Sequence, residues 1–202
     1  MKLFFHYCSF GFSNCYVLGK KNGHEAIIID PGNMDKHLLD FIEGNNFYPK
    51  AIFITHDHPG HVYGIRTLKR IYQSEVFAVN RVIQEHKTTP VKDGDMINVG
   101  PFTVKVISIP GHSADSAVYQ IESLLFTGDV LTAGMLGTTD SAYGAATQLN
   151  KLRSRLFSLP GEYTVLPGHG PPSSLEAERR FNIDISQFGE AKPRRPVVRI
   201  NL

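Results

Sequence analysis

Cysteine is scarce in this chain: Cys8 and Cys15 are the only two in 202 residues. Two are too few for a disulfide framework, and their spacing is not that of a metal knuckle. A reducing compartment is the simpler expectation, with a single bridge between them left open. Charge of one sign is not in excess either. The 21 basic and 19 acidic residues leave a formal +2, which gives no strong field for a polyanion or an anionic membrane. Neither nucleic acid nor a membrane is therefore expected as a partner. Long hydrophobic runs are missing, since none approaches the roughly eighteen apolar residues of a membrane span. The start, Met1 to Phe5, has neither the apolar length nor the small-residue cleavage site of a signal peptide. These absences predict a cytoplasmic protein. No internal repeat or low-complexity run is seen.

What is present suits one compact unit. With 42% hydrophobic residues, a chain of this length buries most of its apolar surface in a single domain, placed at residues 1–190. The remainder, 191–202, is a basic tail with Lys192, Arg194, Arg195 and Arg199 beside Pro193 and Pro196. It reads as a solvated terminus rather than a docking segment. Short β-branched and aromatic runs between Gly, Pro and Asp predict strands at Leu3–Phe5, Tyr16–Leu18, Ala26–Ile29, Ala51–Ile54, Val76–Val79, Phe102–Ile107, Ala117–Ile121, Leu124–Phe126 and Tyr163–Leu166. Periodic apolar residues predict helices at Met34–Glu43, Gly64–Tyr72, Asn80–His86, Ala145–Ser158 and Ser174–Ile183. Two strand-rich halves with interspersed helices make an α+β class. The aromatic start (Phe4, Phe5, Tyr7, Phe10 and Phe12) is assigned to strand core, with a substrate cleft or oligomer contact as the alternative.

The punctuation after the strands carries the chemistry. Ile29 runs into Asp30-Pro31-Gly32, Ile54 into Thr55-His56-Asp57-His58-Pro59-Gly60-His61, and Ile109 into Pro110-Gly111-His112. Phe126 runs into Thr127-Gly128-Asp129, and Leu166 into Pro167-Gly168-His169-Gly170. Five of nine histidines thus stand on loops at strand ends, where a rigid sheet usually presents a site. The other four, His6, His24, His37 and His86, share no such context and read as surface or hydrogen-bonded residues. His56 and His58 are two apart, so in an extended segment they leave one face and chelate together. The Pro-Gly turn folds His61 back towards them. Imidazole suits Zn²⁺ or Fe²⁺, and Asp129 adds a charge-neutralising ligand.

These four ordered blocks, Thr55–His61, Pro110–Ser113, Gly128–Asp129 and Pro167–Gly170, resemble the signature of metallo-β-lactamase-fold hydrolases. The stretch 167–182, with Glu178, Arg179 and Asn182, is similar to the ending of small glyoxalase II-like members. The resemblance implies a four-layer αββα sandwich. It also implies one metal site at His56, His58 and His112, a second at His61 and His169, and Asp129 bridging them. A water or hydroxide between the metals is the nucleophile in such enzymes. Asp30 corresponds to the acidic residue that braces the metal loop through hydrogen bonds.

One departure stands out. The family carries Asp before the last His of its first block, and this chain has Gly60. The second site then lacks a carboxylate and is expected to bind more weakly, with a water completing it. Asp57 alternates with His56 and His58 and should point away, in a hydrogen-bonding role; Asp115 reads as a turn or cap residue. The cofactor expected is a divalent metal, zinc first, with iron or manganese as alternatives, at one or two ions per chain. The substrate expected is a small thioester, ester or lactone. Glyoxalase II enzymes add a helical domain that grips glutathione, for which 202 residues leave no room. The spacing resembles that branch better than lactamases proper. The 131–144 loop is expected to line the pocket, with Tyr143 as a candidate oxyanion donor. Two other readings are carried: a mononuclear iron enzyme similar to persulfide dioxygenases, using His56, His112 and Asp129, and a metal-binding sensor or structural protein without hydrolase activity. The oligomeric state is left open, a homodimer included.

Overall fold

The computed structural model describes residues 1–185. The basic tail assigned to 191–202 lies outside them. The first half forms β1 (Lys2–Tyr7), β2 (Asn14–Gly19), β3 (Glu25–Ile29), α1 (Lys36–Gly44), β4 (Tyr48–Phe53), the single turn α2 (Pro59–Val62), α3 (Ile65–Ile71) and β5 (Glu75–Ala78). A small hairpin of β6 (Val82–Ile83) and β7 (His86–Lys87) then leads to β8 (Thr89–Pro90). The second half forms β9 (Met96–Val99), β10 (Phe102–Ser108), β11 (Ala117–Ile121), β12 (Leu124–Gly128), a hairpin of β13 (Leu131–Thr132) and β14 (Met135–Leu136), α4 (Ala142–Lys151), β15 (Thr164–Pro167), β16 (Ser173–Ser174) and α5 (Leu175–Phe181). Helix α4 runs on into a π-helical turn over Leu152–Leu156.

Two six-stranded sheets result, in the orders β1-β2-β3-β4-β5-β8 and β16-β15-β12-β11-β10-β9. The apolar runs explain the layering. In β3, Ala26 and Ile28 point to a core shared with Leu38 and Ile42 of α1 and Leu68 of α3. Alternate residues Ile27 and Ile29 point to a second core, where Phe53 meets Val104, Tyr119 and Phe126 of the other sheet. A third core lies on the far face of the second sheet, where Val118, Leu125 and Val165 pack on Leu152, Leu156 and Leu175. Strands buried on both faces read as continuous hydrophobic runs, and three apolar layers between four layers of structure make the αββα sandwich.

Two expectations change. The segment 80–86 is not a helix but enters the β6–β7 hairpin, pairing Ile83 with His86 and Val82 with Lys87; burial of Ile83 against the first core outweighs a weak helical period. The aromatic start is core only at Phe4, which packs on the first core, whereas Phe5, Tyr7, Phe10 and Phe12 are exposed. Strand β1 is a sheet edge, so its inward face has less to lie against. Cys8 and Cys15 are buried free thiols.

Candidate metal centre

Strands β3, β4, β12 and β15 deliver their following loops to one end of the sandwich, because β3 and β4 run parallel in the first sheet and β12 and β15 run parallel in the second. The two sheets are tied there by the backbone: Ala117 N–H donates to the Thr55 carbonyl at 2.9 Å, and Asn14 N–H to the Gly168 carbonyl at 2.7 Å. After β4 the chain stays extended to His58, whose φ/ψ of −100/144° caps α2. Pro59 opens that single turn, a position its missing N–H and fixed φ suit. The turn carries His61 back beside His56, ring centres 4.3 Å apart.

The result is two donor groups sharing one carboxylate. His56, His58, His112 and Asp129 each offer a ligand atom within 4.8 Å of the others, and so do His61, Asp129 and His169. In the first group His56 Nε2 lies 2.9 Å from His58 Nδ1, and His112 Nε2 lies 3.1 Å from it. Asp129 Oδ2 is 3.8 Å from His56 Nε2 and 3.7 Å from His112 Nε2. Ligands at tetrahedral zinc distances sit about 3.3 Å apart, so this spacing fits a divalent ion. In the second group His61 Nε2 is 3.5 Å from Asp129 Oδ2 and is a buried nitrogen without a hydrogen-bond partner among the described residues. An orphaned imidazole nitrogen of this kind is what a ligand looks like before its ion is added.

The far nitrogens explain why the near ones converge. His112 Nδ1 donates to the Thr138 carbonyl at 2.8 Å, and His169 Nε2 to the Gly11 carbonyl at 3.0 Å. The Thr55 hydroxyl donates to Asp30 Oδ2 at 2.6 Å, so His56 Nδ1, 3.1 Å from that hydroxyl, is the donor to it. Asp30 also accepts from Thr55 N–H at 2.7 Å and from His61 Nδ1 at 3.1 Å. One buried carboxylate thereby orients two candidate ligands, one of them through a hydroxyl, which fixes tautomer and ring angle. Asp30 holds φ at +48°, a left-handed conformation that Asp and Asn tolerate better than other side chains.

Electrostatics divides the two groups. Burial, then the neighbouring imidazoles, pushes His56 down to about 2 despite Asp129. His58 is lowered by burial and by His112. His61 goes the other way, to about 10: burial opposes the shift, but the neighbouring carboxylates of Asp129 and Asp30 outweigh it. His169 is raised by its 2.8 Å contact with Asp129 against partial burial. Asp129 is held far below the usual carboxylate range, burial being overcome by His169 and His61. Without an ion, then, His56 and His58 favour neutral imidazole, whereas His61 and His169 favour the protonated form.

The departure at Gly60 has a structural counterpart. Gly11, at φ +72°, comes so close that an added Cβ would lie 2.5 Å from Gly60 Cα, and the Ser13 hydroxyl donates to the Gly60 carbonyl. A Cβ on Gly60 itself would meet Gly11 Cα at 3.4 Å, an ordinary contact, so the β1–β2 loop abuts this position without filling it. Gly168 is constrained directly, since a Cβ there would meet Asp129 Oδ1 at 2.4 Å and His61 Cε1 at 2.6 Å.

The other residues singled out from sequence fall outside both donor groups. Asp57 turns away, where burial and Asp115 raise its pKa and Asn80 partly offsets this. Asp115 does more than cap a turn: it accepts from Asp57 N–H, Asn80 Nδ2 and the Ser113 hydroxyl, tying the His56 loop to the His112 loop. Tyr143 lies on the first turn of α4 and is 82% exposed. The Gly11 and Thr138 carbonyls had no signal in the sequence, being backbone groups. Thr55 was visible as part of its block, but not its relay role.

A family profile described as the metallo-beta-lactamase superfamily matches residues 8–169. The chain belongs to the metallo-beta-lactamase superfamily. Members of this superfamily are mostly metal-dependent hydrolases and bind divalent metals. The chain is 28% identical to an uncharacterized protein of Mycobacterium tuberculosis (strain ATCC 25618 / H37Rv), over 84% of its own length and 91% of that protein's. Among solved structures it is similar to ETHE1 from Myxococcus xanthus, with TM-score 0.84 and 28% identity over 93% of this chain and 85% of that one. It is also similar to the B3 metallo-beta-lactamase BLEG-1, with TM-score 0.80 and 25% identity over 92% and 100%. A third, TTHA1623 in a di-iron-bound form, has TM-score 0.74 and 26% identity over 90% and 99%. No helix among the described residues of this superfamily member is long and apolar enough to cross a membrane.

Proposed function

We propose that the protein is a metal-dependent hydrolase of a small thioester, ester or lactone. The observation that carries this reading is the pair of donor groups meeting at Asp129. His56 Nε2, His58 Nδ1, His112 Nε2 and Asp129 would hold one divalent ion, and His61 Nε2, His169 Nδ1 and Asp129 the other. An ion held there lowers the pKa of a bound water towards neutrality and polarises a substrate carbonyl. The chain's part is to keep the imidazole lone pairs aimed inwards, through Asp30, Thr55, Thr138 and Gly11, and to keep Asp129 ionised between them. Zinc is the first choice on donor type; the di-iron form of a 26% identical neighbour supports iron as the second, and manganese is the third.

The test is thiol release from a small acyl thioester by purified protein, stripped of metal and then reloaded with zinc, iron or manganese. Turnover that appears only on reloading is expected. The second reading draws on Gly60, which leaves the His61–His169 group with three donors: a single iron at His56, His112 and Asp129 acting on a persulfide. Oxygen uptake with a small persulfide by iron-loaded protein, and no thioester hydrolysis with any metal, would replace the hydrolase reading with that one. Inertness in both assays would leave a metal-binding protein.

A further inference from the structure

The segment 80–87 makes a tight hairpin in which Gln84 sits at φ +52°. A non-glycine residue held in the left-handed region costs of order 1 kcal/mol or more and calls for an account of what it holds in place. The turn hangs Gln84, Glu85 and His86 over the outer face of α3, and between them lies a cavity of about 310 Å³ lined by Tyr63, Arg66, Thr67, Gln84, Glu85 and His86. Its polar groups can all donate except the Glu85 carboxylate: a guanidinium, two hydroxyls, a carboxamide and an imidazole. Among the described residues, Arg66 and Lys69 make no hydrogen bond or salt bridge, and Glu85 is the one carboxylate on the rim. The field is positive at His86, which is lowered by partial burial, then by Lys69 and Arg66 against Glu85.

The cavity shares Tyr63 with a chain of contacts that leads towards the metal centre. Tyr63 follows His61 by two residues and stacks on Phe10, ring centres 4.4 Å apart. The next residue, Gly11, accepts the hydrogen bond of His169 Nε2. Both rings are substantially exposed, so an aromatic step runs from the cavity at Tyr63 to Phe10, the neighbour in sequence of the residue that holds His169.

We propose that the cavity is an anion subsite that takes a carboxylate or phosphate on the tail of the substrate, with Arg66 as its main donor and Phe10 and Tyr63 packing the apolar stretch between tail and reacting carbonyl. The proposal rests on the hydrolase reading for its substrate, and is tested by binding that needs no turnover. Three unreactive thioethers serve as probes: an ω-methylthio hexanoate, the corresponding hexyl phosphate and the hexanoate's methyl ester. Calorimetric titration of metal-loaded protein is expected to show one of the anionic probes binding more tightly than the neutral ester, and more weakly as salt is raised. The better anion identifies carboxylate or phosphate as the ligand. Arg66→Gln should weaken that anion about tenfold, the loss of one charge-assisted hydrogen bond, while leaving the ester's affinity and the melting temperature unchanged. Equal binding of all three probes, or an Arg66→Gln protein that binds the anion as wild type does, would overturn the subsite. Absence of thioesterase turnover would not bear on it, so the two failures are distinct.

Discussion

Asp30 and Asp129 are both buried carboxylates with imidazole partners, yet they do different work. Asp129 stands between the two donor groups, whereas Asp30 accepts from Thr55 N–H, Thr55 Oγ1 and His61 Nδ1 behind them. Asp30→Asn keeps the shape and tolerates the positive φ, but sets an NH₂ against donors. It should lower metal affinity about 10–100-fold, read by competition with a chromophoric chelator. The proton inventory gives a second expectation. His61 and His169 have raised pKa values in the metal-free chain, so an ion entering their group must displace protons. His56 and His58 are lowered and are already neutral. Uptake at the His61–His169 group should therefore weaken as pH falls from 8 to 6, by about tenfold per pH unit for each proton displaced. His56, lowered to about 2, adds no such dependence, and the lowered His58 adds less than an unshifted imidazole. Calorimetry in buffers of different ionisation enthalpy counts the protons released.

At the scale of elements, the hairpin after Asp129 is held from behind. Glu178 of α5 is 2% exposed and accepts from Gly134 N–H in the β13–β14 turn, from the Ser173 hydroxyl and from Asn182 Nδ2. Glu178→Ala leaves three donors without their acceptor and should cost about 2–3 kcal/mol, seen as a lower urea midpoint at unchanged m. The sequence pointed to Glu178 and Asn182 only by resemblance, since a helix face says nothing of which hairpin it will meet. The strands were legible because alternation and Gly, Pro and Asp stops are local. The 80–87 hairpin was not. Val82 and Ile83 suit either period, and what decides is the pairing to His86 and Lys87 with Thr88 N–H returning to the Arg81 carbonyl at 3.1 Å.

For the molecule as a whole, the donor groups join loops from both sheets, so an ion bound there clamps one half to the other. An ion that binds the folded chain alone, present at about a hundred times its Kd, stabilises by about 2.7 kcal/mol. For a chain of this length that is roughly 5–10 °C in Tm. Scanning calorimetry with and without a chelator should show a loss of that size, and an unchanged Tm would argue that no ion bridges the sheets.

The sequence by itself determined which side chains stand just past the strand ends, because side-chain direction along a strand and the turning power of Pro and Gly are properties of a few adjacent residues. It thereby marked His56, His58, His61, His112, Asp129 and His169 as one constellation, and Gly60 as its irregular member. Only the tertiary structure decided that Asp30 holds His61 and, through Thr55, His56, and that the Gly11 carbonyl reaches His169 across 158 positions of chain. It also decided that Phe5, Tyr7, Phe10, Phe12 and Tyr143 are exposed. Those outcomes follow from strand order and from what lies against each sheet edge, and non-local packing of this kind has no signature in any short stretch of residues.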